Sequence, residues 1–197
     1  SSELCAEGAI VNLMNVVNCS DDDMKLFWSI VCDQSMQSVC EKLQVMSVQK
    51  IVHKTGGGVD SIEKSLWILC KKFKFHTTTR MKESSFQNLQ NTMNFLSYVK
   101  FPVIIAVKAT HACYHHVIVV WKGIIIDYDY ESKYTYSLTN ESLTQICGKN
   151  TTFHGISCGY GIFPSRRIMN LPENVHIEDW GYTEWCIPKS QIRKYFV

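Results

Sequence analysis

The stretch from His116 to Asp127, His-Val-Ile-Val-Val-Trp-Lys-Gly-Ile-Ile-Ile-Asp, constrains the fold of this chain more than any other. Two β-branched runs of strand length flank Trp121-Lys122-Gly123, and that pattern predicts a tight antiparallel hairpin. Strand side chains alternate between faces, so Ile118 and Val120 share the His116 face, while His115, Val117 and Val119 share the other. Asp127 and Asp129 fall together on one face of the second strand. A residue that opens one strand lies opposite a residue that closes the next, so His116 faces the neighbourhood of Asp127 to Asp129. Asp127 is the first choice and Asp129 the reserve, because one residue of turn length decides between them. Just upstream, Pro102 closes a helical region. Val103-Ile-Ile-Ala-Val107 is then a continuous apolar run of the kind buried on both faces of a sheet.

The residues before Pro102 carry helical periodicity. Ala6, Ile10, Leu13 and Val17 draw one apolar stripe, which places Cys5 on the first turn of a helix. There the unpaired N–H groups and the positive end of the helix dipole favour thiolate over thiol, which makes Cys5 a candidate nucleophile. Ser20-Asp-Asp-Asp23 is a helix start with Leu26, Phe27, Ile30 and Val31 behind it. Met36, Val39, Cys40, Leu43 and Met46 predict a third helix. Thr55-Gly-Gly-Gly58 is a flexible break, after which Asp60 or Ser61 caps a fourth helix carrying Ile62, Leu66, Leu69 and Phe73. Ser84-Ser85 caps a fifth with Phe86, Leu89, Met93 and Leu96. Beyond the hairpin, Asn140 to Cys147 reads as a short helix closed by Gly148. Phe153 to Phe163 reads as strand, and Ser190 to Tyr195 as a final helical turn. Helices first and antiparallel strands after is an α+β plan, with the Cys5 helix packed on the sheet that carries the histidine.

Composition narrows the classes. A chain of 197 residues with 46% apolar and 19% charged residues fits one soluble globular domain over residues 1–197. The net charge of +2 is scattered apart from short runs such as Lys71-Lys72 and Arg166-Arg167, which argues against nucleic acid as a partner. No run reaches the roughly 18 apolar residues of a membrane span. Nine cysteines at unpaired spacings, an odd number, read as reduced and buried thiols, which implies an intracellular or intravirion setting. Asn18-Cys-Ser, Asn140-Glu-Ser and Asn150-Thr-Thr match the N-glycosylation pattern, a triplet common by chance in such a chain.

The string Cys5-Ala-Glu-Gly-Ala9-Ile-Val-Asn12-Leu-Met resembles the cysteine motif of the papain-like peptidases that process bacteriocins by cutting after double-glycine leaders. Phe101-Pro-Val-Ile-Ile-Ala-Val107, His116-Val-Ile-Val-Val120 and Ile124-Ile-Ile-Asp127 are similar to that family's buried strand, histidine strand and aspartate strand. Thr55-Gly-Gly-Gly58 before a helix also fits. The likeness runs over residues 5 to 130 and keeps the order Cys, His, Asp. It implies a papain-like fold and a cysteine endopeptidase without cofactor. In that reading Cys5 attacks, His116 moves the proton and Asp127 holds the imidazole. The implied partner is an extended peptide or protein substrate with small residues at the cut, Gly-Gly or Gly-Ala. The setting implied is a transporter, a viral polyprotein or a mobile element. Two features depart from the family. It carries a Gln about six residues before the cysteine, where only Ser1 to Leu4 stand here, and its hairpin is longer.

Other readings use the same residues differently. Ser157-Cys158-Gly159 resembles the nucleophile motif of the SUMO-protease and adenoviral-protease type, with His116 and Asp127 again as partners. Against it, the family's Gln falls on Thr152 and Pro164 stops the helix that follows the nucleophile. A peptidase-like module that only binds peptide is the non-enzymatic reading. His111-Ala-Cys113-Tyr-His115-His116 offers metal-ligand types, but neighbours on a strand face opposite sides and zinc-module spacing is absent.

Overall fold

The computed structural model describes residues 5–45, 62–78, 80–99, 101–108, 115–129, 132–149, 152–153, 155–163 and 186–187. Helix α1 runs Cys5–Val16, α2 Asp21–Cys32, α3 Met36–Leu43 and α4 Ile62–Phe73. Ser20 caps α2 through a reciprocal box: its Oγ accepts from the Asp23 N–H at 3.1 Å, and the Asp23 carboxylate accepts from the Ser20 N–H at 3.2 Å. Asp33, in the left-handed region at φ 52°, closes that helix. Ser35 caps α3 with its side chain, accepting from the Ser38 N–H at 3.1 Å. Met46, the Thr55 to Gly58 break and the Asp60 or Ser61 cap lie outside the described residues, as do Ser190 to Tyr195.

The region read as wholly helical holds two short strands, β1 (His76–Thr78) and β2 (Met81–Lys82). Ser84 and Ser85 belong to a single 3-10 turn, Glu83–Phe86, and do not cap the next helix, α5 (Leu89–Tyr98). That cap is Asn88, whose side chain accepts from the Asn91 N–H at 2.8 Å. Then come β3 (Val103–Lys108), β4 (His115–Trp121), β5 (Ile124–Asp129), β6 (Ser132–Ser137), α6 (Asn140–Cys147), β7 (Gly148–Lys149), β8 (Thr152–Phe153), β9 (Ile156–Phe163) and β10 (Cys186–Ile187). Gly148 continues straight into β7, and Phe153 pairs in a separate two-stranded ribbon with β7 instead of leading into β9.

The main sheet has the order β10-β1-β9-β3-β4-β5-β6, with β2 also on β9. Its pairings are antiparallel except β1 with β10, which is parallel, so the all-antiparallel expectation is corrected at that edge. Each face carries its own core. On one, Ile10, Leu13, Phe27 and Leu66 from α1, α2 and α4 meet Ile104, Val117, Val119, Ile126 and Tyr160. On the other, Phe86, Phe95 and Leu143 from the 3-10 turn, α5 and α6 meet Ile105, Ile118, Val120 and Ile125. Strand β3 gives Ile104 and Ala106 to the first core, and Val103, Ile105 and Val107 to the second. Its continuous apolar run is the sequence signature of that double burial. Helices on both faces of a largely antiparallel sheet define a mixed α+β fold.

Strand β9 pays for close packing with glycine. A Cβ on Gly161 would stand 2.6 Å from Phe101 Cε2 and 3.0 Å from Thr78 Cγ2, while its N–H donates to Thr78 Oγ1 at 3.0 Å. Gly161→Ala must therefore displace an aromatic ring lying against the strand. We expect a loss of about 1–3 kcal/mol in urea unfolding, the usual cost of overpacking a dense core. An unchanged midpoint would show that Phe101 moves freely.

Candidate functional site

The hairpin turns on Lys122 and Gly123 alone, with φ of 50° and 72°, and Trp121 pairs with Ile124 as the last rung of the strands. Two consecutive left-handed residues match the right-handed twist of the strands that they join. Lys122 Nζ lies 4.3 Å from the Trp121 ring centre, a cation–π contact that folds the turn onto its own strand. The ladder of β4 with β5 reaches from Trp121↔Ile124 down to Val119↔Ile126. Continued one row, that register sets Asp127 across from Ile118 and diagonal to His116, which is within reach for long side chains.

His116 and Asp127 are in contact. Nε2 of the imidazole lies 2.5 Å from Asp127 Oδ1, with the side chains 16% and 20% exposed. Partial shielding from water strengthens such a pair and fixes the ring. Asp127, the first choice, is the aspartate in contact with the ring; the Asp129 side chain lies outside the described residues. The neighbouring strand supports the imidazole: Val107 on β3 is directly opposite His116. Next to it the pairing of β3 with β9 is irregular, since Ala106 pairs with Cys158 but Val107 with Ile156. Ser157 is the extra residue of this bulge, and its Oγ donates to the Ala106 carbonyl at 3.0 Å.

Cys5 is the first residue of α1, and α1 packs against β4 and β5, the strands that carry His116 and Asp127. The Cys5 side chain lies outside the described residues. For His116 to face Cys5, the Ile118 and Val120 face of β4 would have to meet the Cys5 helix. Instead α1 shares its core with Val117, Val119 and Ile126, while Ile118, Val120 and Ile125 lie in the core beneath α5 and α6. The buried apolar side chains of that helix, Ala9, Ile10, Leu13 and Met14, all belong to the first core. The position in strand phase with Val117 and Val119 is 115.

Cys32, Cys70 and Cys158 are buried. Cys19 is pushed up by burial and then by the Asp23 carboxylate. Burial raises Cys147 to about 12. Cys158 lies inside β9, opposite Ala106 on one side and Lys82 on the other, where the SUMO-protease-like reading needs the start of a helix. Among the described residues no group of three or more His, Cys, Asp or Glu is placed to hold a metal ion; His111 and Cys113 lie outside them. No described helix is long and apolar enough to cross a membrane. Comparison with protein-family models, with curated proteins and with solved structures returns no match.

The Cys147 thiol yields a pH-dependence of defined sign. It ionises at an ordinary value of 9.0 when exposed and at about 12 when folded. Between those values the folded chain holds more protons than the unfolded one, so stability falls as pH rises. Cys147→Ala should be less stable near neutrality because it leaves a cavity, but should lose less stability than the wild type across that alkaline interval. Parallel urea midpoints for the two proteins would reverse the assignment.

Proposed function

We propose that the chain is a papain-like cysteine endopeptidase with Cys5 as nucleophile, His116 as general base and acid, and Asp127 as the group that orients the imidazole. The observation that carries this reading is the 2.5 Å His116–Asp127 contact, on two strands whose opposite face is covered by the Cys5 helix. With Nε2 held by the carboxylate, Nδ1 is the nitrogen that takes the thiol proton. The thiolate then attacks the scissile carbonyl, and N–H groups at the start of α1 stabilise the oxyanion. Nδ1–H returns its proton to the leaving amine, and water, activated by the same imidazole, hydrolyses the thioester. The substrate is an extended peptide or protein segment with small residues at the cut. For Cys5 to reach this ring, it must approach at the opening of β4, below the last rung shared with β5.

The free thiols of Cys19, Cys40 and Cys147 support work in a reducing, intracellular compartment. The face on which α1 sits favours a second assignment within the same chemistry, in which His115 is the base.

Peptide cleavage and thiol mapping test both. A quenched fluorescent peptide library rich in Gly-Gly and Gly-Ala junctions is incubated with the protein, and an iodoacetamide time course at neutral pH is read by mass spectrometry. Cys5 should label far faster than the other cysteines, and Cys5→Ala should abolish cleavage with little loss of stability. His116→Ala should lose on the order of a hundredfold or more in rate while His115→Ala retains most of it. The opposite histidine result moves the base to His115. Uniformly slow labelling with no cleavage would leave a module that only binds peptide, and selective labelling of Cys158 would revive the SUMO-protease-like order.

A further inference from the structure

The bulge at Ser157 changes the phase of β9 beside the His116–Asp127 pair. Cys158, Tyr160 and Ile162 alternate regularly into the core under α1. Continued without interruption, that alternation would send Ile156 to the same side. The extra residue at 157 moves Ile156 to the opposite core, where it pairs with Val107. Val107 in turn pairs with His116. A cross-strand row Ile156, Val107, His116 thus exists because of one inserted residue. The Ser157 hydroxyl ties the insertion to β3 through the Ala106 carbonyl at 3.0 Å, one residue from Val107. Both apolar members of the row are fully buried, at 0% and 1% exposure, and Val107 is the cross-strand neighbour of His116 on the side away from β5.

We infer that Ser157 is a positioning residue for the His116–Asp127 pair. It acts through the bulge: its hydroxyl holds the Ala106 carbonyl and Ile156 packs beside Val107, so that Val107, the neighbour of His116, keeps the ring in the orientation in which Nε2 meets the carboxylate. Bulges recur where a sheet must re-aim a side chain. Here the re-aimed residue is Ile156, and the beneficiary is two strands away. This inference rests on the proposed role of His116 as the base, but its geometry can be tested apart from turnover.

The experiment is heteronuclear NMR of the His116 ring in the wild type and in Ser157→Ala, Ser157→Thr and Ser157→Cys, at a temperature where all are folded, together with peptide cleavage by each. In Ser157→Ala the downfield Nε2–H resonance should broaden or vanish and the titration midpoint of the ring should move, while Ser157→Thr, which keeps the hydroxyl, restores both. If the pair is catalytic, the rate in Ser157→Ala falls on the order of tenfold to a hundredfold, the scale of a misplaced catalytic group. A lower melting temperature with unchanged ring resonances would show a merely structural hydroxyl and overturn the inference. Should Ser157→Ala fail to fold, Ser157→Cys fills the space with a much weaker donor and is judged by the same signals. A ring that shifts in a protein without peptidase activity removes the proposed reaction but keeps the positioning. An unmoved ring in an active peptidase does the reverse.

Discussion

Burial of β3 on both faces is the constraint to which the other elements adjust. A strand whose residues 103 to 107 are all buried needs a helical layer on each side and a hydrogen-bonded neighbour on each edge. The edges are met by β4 and β9, and the layers by α1 with α2 and α4 on one side and by α5 with α6 on the other. Each of the buried aliphatic side chains in this strand contributes about 1.5–3 kcal/mol relative to exposure. Breaking the pattern at any of them would disturb both layers at once. The His116–Asp127 pair is attached to this frame through Val107, the cross-strand neighbour of His116.

The parts of the fold that were legible in the sequence are those set by local rules. The capping box at Ser20 and Asp23, the apolar stripe of α4 and the two-sided run of β3 each carry their own signal, and each appears where its pattern falls. The parts that were not legible depend on partners far along the chain. β1 and β2 are too short to show alternation, and they exist because β9 offers a hydrogen-bonding edge. Asn88, not Ser84 or Ser85, caps α5 because those two serines lie within the 3-10 turn Glu83–Phe86 that buries Phe86, a tertiary choice.

The site divides in the same way. The contact of His116 with Asp127 follows from a two-residue turn and strand period, both local, and so was visible in the residues. The side of β4 on which α1 lies was not, because Ile118 and Val120 are as apolar as Val117 and Val119 and no alternation of polarity distinguishes the faces. The bulge left no trace either. Ile156, Cys158, Tyr160 and Ile162 fall at even positions without a break, so a reader of the sequence alone would place them all on one side.

The distance along the chain between α1 and its sheet has a consequence for synthesis. The stripe of Ile10, Leu13 and Met14 finds its cover in β4 and β5, which begin at residue 115. At the rates at which ribosomes extend a chain, about 5–20 residues per second, the helix waits on the order of 5 to 20 seconds for those strands. During that interval its apolar face lacks β4 and β5, and α2 and α4 are among the elements that shelter it. The parallel rung Thr77↔Cys186 closes later still, since its second member lies near the carboxyl end. Pairings of such long reach are the slow ones in folding. A nascent chain arrested before residue 115 would present an unfinished layer, and that is the form a chaperone would meet.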